Sequence, residues 1–218
     1  MLRAMIFKEL RETYWIALVA LGVCVFFIVE QLMGYNLESM VRMERPYIPF
    51  ASNEFTSPFG FISACLAMAL GFRQSIWESF RGTWPVLLHR PVSRRWVVGV
   101  KLAAGLGLYL VTAAMPILLY AGWAATPGTH ASPFEWSMTL GAWQKWLGIM
   151  GFYLAAFLVG IRPARWLGSR LLPLVGAGVL AAVLLDLDWW QWSVAGALVL
   201  DACLVGTILF VASSRDYS

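Results

Sequence analysis

Long apolar stretches separated by short polar clusters set the rhythm of this 218-residue chain. They run over Tyr14–Met33, Pro58–Trp77, Trp96–Ala124, Trp143–Ile161, Leu171–Leu185 and Trp189–Ala212. Crossing roughly 30 Å of hydrocarbon takes about 20 helical residues. Five stretches meet that length. The fifth in order, Leu171–Leu185, is short, and its Pro173, Gly176 and Gly178 allow a bend or a break. The pattern predicts an all-α integral membrane protein with six transmembrane helices in a single domain, residues 1–218. Ahead of the first span, residues 1–13 read as an amphipathic helix. Leu2, Met5, Ile6 and Leu10 share one face, with Arg3, Lys8, Glu9, Arg11 and Glu12 mostly elsewhere. Such a segment is expected to lie flat in the membrane interface as an N-terminal elbow. It is too acidic for a signal peptide, and no small-residue cleavage site follows.

Composition sharpens this picture. The chain is 60% hydrophobic and 13% charged, with a mean hydropathy of +0.71, whereas soluble domains are about a quarter charged. Twelve Trp and seven Tyr suit the half-wetted headgroup layer. A net charge of +4, gathered at span ends, argues against a nucleic-acid partner and for topology-setting charge facing a lipid bilayer. With the N-terminus inside, Arg3, Lys8, Arg11, Arg73, Arg81, Arg90, Arg94, Arg95, Lys101, Arg162, Arg165, Arg170 and Arg215 fall on the cytoplasmic side, against Arg42, Arg45 and Lys145 outside. That asymmetry predicts two cytoplasmic termini in the plasma (inner) membrane. The outer connections, residues 34–57, 126–142 and 186–188, carry Tyr35, Tyr47, Phe50, Phe55, Phe134 and Trp136, expected to rest on the headgroups rather than to cap a vestibule. Cys24, Cys65 and Cys203 all lie in apolar runs without redox or metal spacing and read as small buried hydrophobes.

Catalytic patterns are missing. The sequence has no phosphate-binding glycine loop, no HExxH and no GxSxG, and its two histidines, His89 and His130, stand far apart. An enzyme is not expected, and no cofactor or metal is expected in this chain.

The patterned charge lies in ESFRGTWPVLLHRPVSRRWVVGVK, between Glu78 and Lys101. Residues 79–93 read as a short helix on the inner membrane surface. Thr83 suits its cap, Trp84 and Pro85 its first turn, and Pro91 its end beside Arg90. Leu87 and Leu88 form an apolar knob among basic residues, a shape that a groove in a soluble partner receives. Trp84 and the arginines would equally anchor an interfacial loop on anionic lipid. Glu78 is expected to pair locally with Arg81 or Arg73. The order Glu78, Gly82, Thr83, Leu87, Leu88, Pro91, Ser93, Arg94, Gly99, Lys101 resembles the loop between the second and third spans of type-2 ABC exporter permeases, and the elbow and six spans resemble their whole plan. The resemblance implies a coupling helix over residues 79–93 that docks on a separate ABC ATPase subunit, with Glu78, Gly82, Thr83, Trp84, Leu87, Leu88, Arg90, Pro91 and Arg94 as coupling residues. It also implies a second permease copy or paralogue, with ATP and Mg held by the ATPase. That family often places re-entrant helices before its last span, for which residues 186–188 leave little room unless the fifth run is itself broken.

Asp201 stands near the middle of the last span, where a carboxylate is costly and marks either a translocation path or a polar clamp to Thr112 or Tyr109. It supports the alternative reading, a secondary transporter or channel-like protein using Asp201 for ion or proton coupling. Gly99, Ala103 and Gly107, and again Gly148 and Gly151, have helix-packing spacing.

Overall fold

The computed structural model describes residues 2–41, 48–50, 53–80, 93–129, 133–162, 169–185 and 189–214. Among them there are six α-helices, one 3-10 turn and no strand: α1 (Leu2–Val41), α2 (Asn53–Phe80), α3 (Arg94–Ala124), the turn Trp136–Thr139, α4 (Leu140–Ile161), α5 (Leu172–Leu185) and α6 (Trp190–Ser214). Five are long and apolar enough to cross a membrane. The chain is a multi-pass membrane protein.

Two expectations change. α5 is one unbroken helix of 14 residues, about 21 Å at 1.5 Å per residue, which falls short of the hydrocarbon thickness. The N-terminal segment is not a separate elbow, because α1 runs without a break through 40 residues. Its buried stripe also differs from the expected apolar face. Met5, Glu9, Thr13, Ile16 and Ala17 are inward, while Leu2 is 47% and Phe7 73% exposed. Met5 packs on Val97 and Val100 of α3, so this first turn belongs to the bundle.

α4 is the hub. Every residue from Tyr153 to Ile161 is buried, which requires neighbours on all sides and accounts for a sequence apolar around the whole helix. α2 lies closest. A Cβ on Gly71 would stand 2.5 Å from the Tyr153 carbonyl oxygen and 2.9 Å from the Ala156 Cβ, and one on Gly160 would collide with Ser75. Of the small residues expected at helix contacts, Gly148 and Gly151 do face neighbours, but Gly99 and Gly107 have nothing within 4 Å and Ala103 is exposed. α1 and α6 flank the bundle, with only 22% and 17% of their apolar windows buried. Their exposed Trp15, Leu18, Val19, Phe26, Val199 and Phe210 match a lipid surround. Cys24 is buried, whereas Cys65 and Cys203 are exposed on such faces, and all three are free thiols.

The two ends differ in chemistry. One end gathers an aromatic plug: Phe55 stacks on Tyr120 at 4.5 Å, Tyr120 on Trp123 at 5.6 Å, and Phe50 leans on Tyr120 at 4.8 Å. Phe50 takes a left-handed φ of 64°, a conformation costly for a bulky residue and offset here by the rings around it. Phe50 and Phe55 are thus tucked into the bundle, and Trp136 remains 63% exposed. The other end is basic. There α4 stops at Arg162, whose extended ψ of 133° follows from the proline after it. The Arg170 guanidinium donates to the Val159 and Gly160 carbonyls at 2.8 and 3.1 Å, closing that helix end. The first turn of α1, the last turns of α2 and α6 and the first turns of α3 meet at this end, where Lys8 reaches Glu78 and Arg95 reaches Ser213.

Close approach of α2 and α4 makes a direct forecast. Gly71→Ala should lower stability by about 1–3 kcal/mol through overpacking, whereas Gly107→Ala, in open space, should be neutral or slightly stabilising. Thermal unfolding in detergent distinguishes them.

Candidate functional site

A buried ionic cluster organises the basic end. Lys101, two turns into α3, is 1% exposed, and its ammonium donates to Glu9 Oε1 of α1 at 2.6 Å and to Glu78 Oε1 of α2 at 3.0 Å. Glu78 Oε1 also accepts from Lys8 Nζ at 3.1 Å. The second oxygen of Glu9 accepts from Gln74 Nε2 at 3.4 Å, and Gln74 Oε1 accepts from the Tyr153 hydroxyl of α4 at 2.7 Å. Four helices thus meet in one polar chain. At its rim Glu12 pairs with Lys8 at 3.8 Å and Arg73 at 3.7 Å, and the Arg73 guanidinium lies 4.6 Å over the Trp77 ring. Glu9, Glu12 and Glu78 face Lys8, Arg73 and Lys101, so the cluster is formally neutral.

Helical spacing explains the assembly. Gln74 and Glu78 stand one turn apart on α2 and share a face. Met5, Glu9 and Thr13 share another on α1, and the Thr13 hydroxyl turns back to the Glu9 carbonyl at 2.7 Å. Gly105 of α3 leaves the space that the Tyr153 hydroxyl and Gln74 occupy, since a Cβ there would collide with both. An ammonium removed from water needs its charge compensated and its three protons accepted. Two carboxylates from different helices meet much of that need here.

Of the two local partners expected for Glu78, Arg73 is engaged elsewhere. The partners of Glu78 include Lys101 and Lys8 on other helices, while Arg73 turns to Glu12; Arg81 lies outside the described residues. Also outside them are Gly82, Thr83, Trp84, Leu87, Leu88, Arg90 and Pro91, the body of the expected coupling helix. Of that expected helix, residues 79 and 80 belong to α2, and Ser93 begins α3 by accepting from Trp96 N and Val97 N at 3.0 and 3.2 Å. Arg94 is half-buried in the first turn of α3.

Asp201 sits apart, in α6. It is buried at 6% exposure, and neither of its oxygens has a hydrogen-bond partner among the described residues. The expected hydrogen bond to Thr112 or Tyr109 is thus not made among the described residues. The Tyr109 hydroxyl instead donates to the Trp146 carbonyl at 2.9 Å, and Trp146 Nε1 donates to the Leu110 carbonyl at 3.1 Å, a reciprocal tie between α3 and α4. Among the described residues no cluster of metal-ligating side chains occurs.

Reading the sequence missed Glu9 and Lys101 as partners. Glu9 looked like one charge on the polar face of a surface helix. A signal was present nonetheless, since Lys101 falls inside an apolar run where a lone ammonium demands a carboxylate. No protein-family model, curated protein or solved structure matches this chain.

Removing the central cation should be severe. Lys101→Met takes from Glu9 its ammonium partner in a dry site and should cost about 3–5 kcal/mol. Lys8→Met, at a side chain 40% exposed, should cost under about 1 kcal/mol. Chemical unfolding of both variants in the same detergent measures the difference.

Proposed function

We propose that this chain is the membrane-spanning permease subunit of an ATP-binding cassette transporter of the type-2 exporter kind. One observation carries the reading. The segment that resembles a coupling helix is bounded by Glu78 and Lys101, and these two residues share one buried ionic junction with Glu9. A load placed on residues 81–92 by a partner reaches α2 through Glu78, α3 through Lys101 and α1 through Glu9. A loop that merely rested on lipid would need no such rigid footing.

In this account the basic end faces the cytoplasm, as the distribution of Lys and Arg favours, and both chain ends lie there, in the inner (plasma) membrane. A separate ATPase subunit binds ATP and Mg and docks on residues 79–93. Trp84, Leu87 and Leu88 supply the apolar anchor, with Arg90 and Arg94 at its rim and Gly82, Thr83 and Pro91 shaping the turn. Apolar anchors dominate interfaces of this kind, while rim charges contribute more to orientation. Two permease subunits work as a pair, and closure of the ATPases moves both coupling segments together.

Replacing Leu87 and Leu88 together by Asp should abolish docking at a cost of several kcal/mol, because two charges would enter a dry groove. Insertion and unfolding temperature should not change, since both residues lie outside the spans. Co-purification of an ATPase from native membranes, with wild-type and doubly substituted chains at matched expression, is the measurement. Equal recovery of the ATPase contradicts the proposal.

A further inference from the structure

We propose that Asp201 is a proton-binding site, its carboxyl held as a neutral acid where α6 meets α4, so that release of the proton and undocking of α6 are a single event. This proposal does not depend on an ATPase partner and goes beyond the coupling role.

The geometry comes first. The side chain lies in the buried face of α6 that includes Ser193, Ala197, Leu204 and Ile208. Its Oδ1 would stand 3.1 Å from a Cβ on Gly151, so the carboxyl presses on bare α4 backbone. Both oxygens lack a hydrogen-bond partner among the described residues. Every backbone N–H of a helix interior is already engaged along the helix, so Gly151 brings Asp201 close without offering it a donor.

Cations on the neighbouring helices are occupied elsewhere. On α4, Lys145 donates to the Thr56 carbonyl at 3.3 Å, and Tyr153 turns to Gln74. On α3, Lys101 is held by Glu9 and Glu78, and Arg95 reaches Ser213; Arg94 shares its first turn, two turns before Lys101. Helix α5 carries no titratable side chain, and α6 itself adds Cys203, which is exposed. Tyr109 of α3 commits its proton to the Trp146 carbonyl. Among the described residues no positive charge is thus placed to balance an ionised Asp201.

That arrangement selects the ligand. A sodium or calcium ion requires several oxygen ligands converging at short range, and among the described residues neither Asp201 oxygen has a hydrogen-bonding neighbour. A proton requires only the carboxyl. Holding an ordinary aspartic acid neutral at pH 7 costs a factor of about a thousand in population, less than stranding a bare carboxylate away from water and donors. When the proton leaves, the charge must find water, and it can do so only if α6 separates from Gly151.

The chain has four aspartates, Asp186, Asp188, Asp201 and Asp216. Changing the other three to Asn leaves Asp201 as the single aspartate without touching the packed site, which removes any need for Asp201→Asn to fold. Carbon-13 NMR of the Asp Cγ in this full-length variant, in lipid nanodiscs, reads the protonation state directly. At neutral pH the resonance should have the shift of a neutral acid, moving to the carboxylate position on unfolding. A carboxylate shift at neutral pH in the folded protein overturns the proposal.

Discussion

A single ammonium group, Lys101 Nζ, sits where three helices must meet. In a low-dielectric site an unpaired cation is not tolerated, so α1 has to present Glu9 and α2 has to present Glu78 at the same depth. Packing then follows from that demand. Met5 settles on Val97 and Val100, Gln74 bridges Glu9 to Tyr153, and α4 becomes the buried hub against which α2 closes at Gly71 and Gly160. Hydrophobic burial alone cannot specify such a register in a membrane, because lipid is as apolar as a leucine. Directional ionic contacts supply the missing specificity. The bulk of the remaining surface, above all on α1 and α6, is free to be simply greasy.

The same contacts give the basic end a different character from the aromatic end. Stacked rings around Tyr120 form a plug whose energy comes from area and tolerates small shifts. The ionic junction is short-ranged and holds at distances near 3 Å. The ionic end is therefore the stiffer of the two, while the aromatic end can adjust by sliding. Asp201 adds a third kind of site, a buried carboxyl with no hydrogen-bond partner among the described residues, set against Gly151 of α4.

Much of the helical plan was legible in the sequence because long apolar runs have few alternatives in a membrane. Trp96–Ala124 maps almost whole onto α3, and Trp143–Ile161 onto α4. The ends were harder. Residues 34–41 look like the start of a loop yet continue α1, since backbone hydrogen bonding propagates a helix past the point where hydrophobicity stops. The N-terminal face was misjudged for a physical reason: periodicity ranks Glu9 as outward, and only a partner 92 residues away makes it inward. Likewise Gly99, Ala103 and Gly107 have the spacing of a packing seam but lie outside it, because Gly105 on another face receives Tyr153. Long-range partners are what local pattern cannot supply.

The central claim is that Glu9 and Lys101 stabilise each other across α1 and α3. A double-mutant cycle with Glu9→Gln, Lys101→Met and the pair, read by unfolding in one detergent, tests it most directly. Glu9→Gln takes one of its carboxylates from Lys101 and Lys101→Met takes the ammonium from Glu9, so the double variant should be more stable than the sum of the singles implies, by at least about 1 kcal/mol. Additivity within about 0.5 kcal/mol would mean that the two residues do not depend on each other, and would contradict the account.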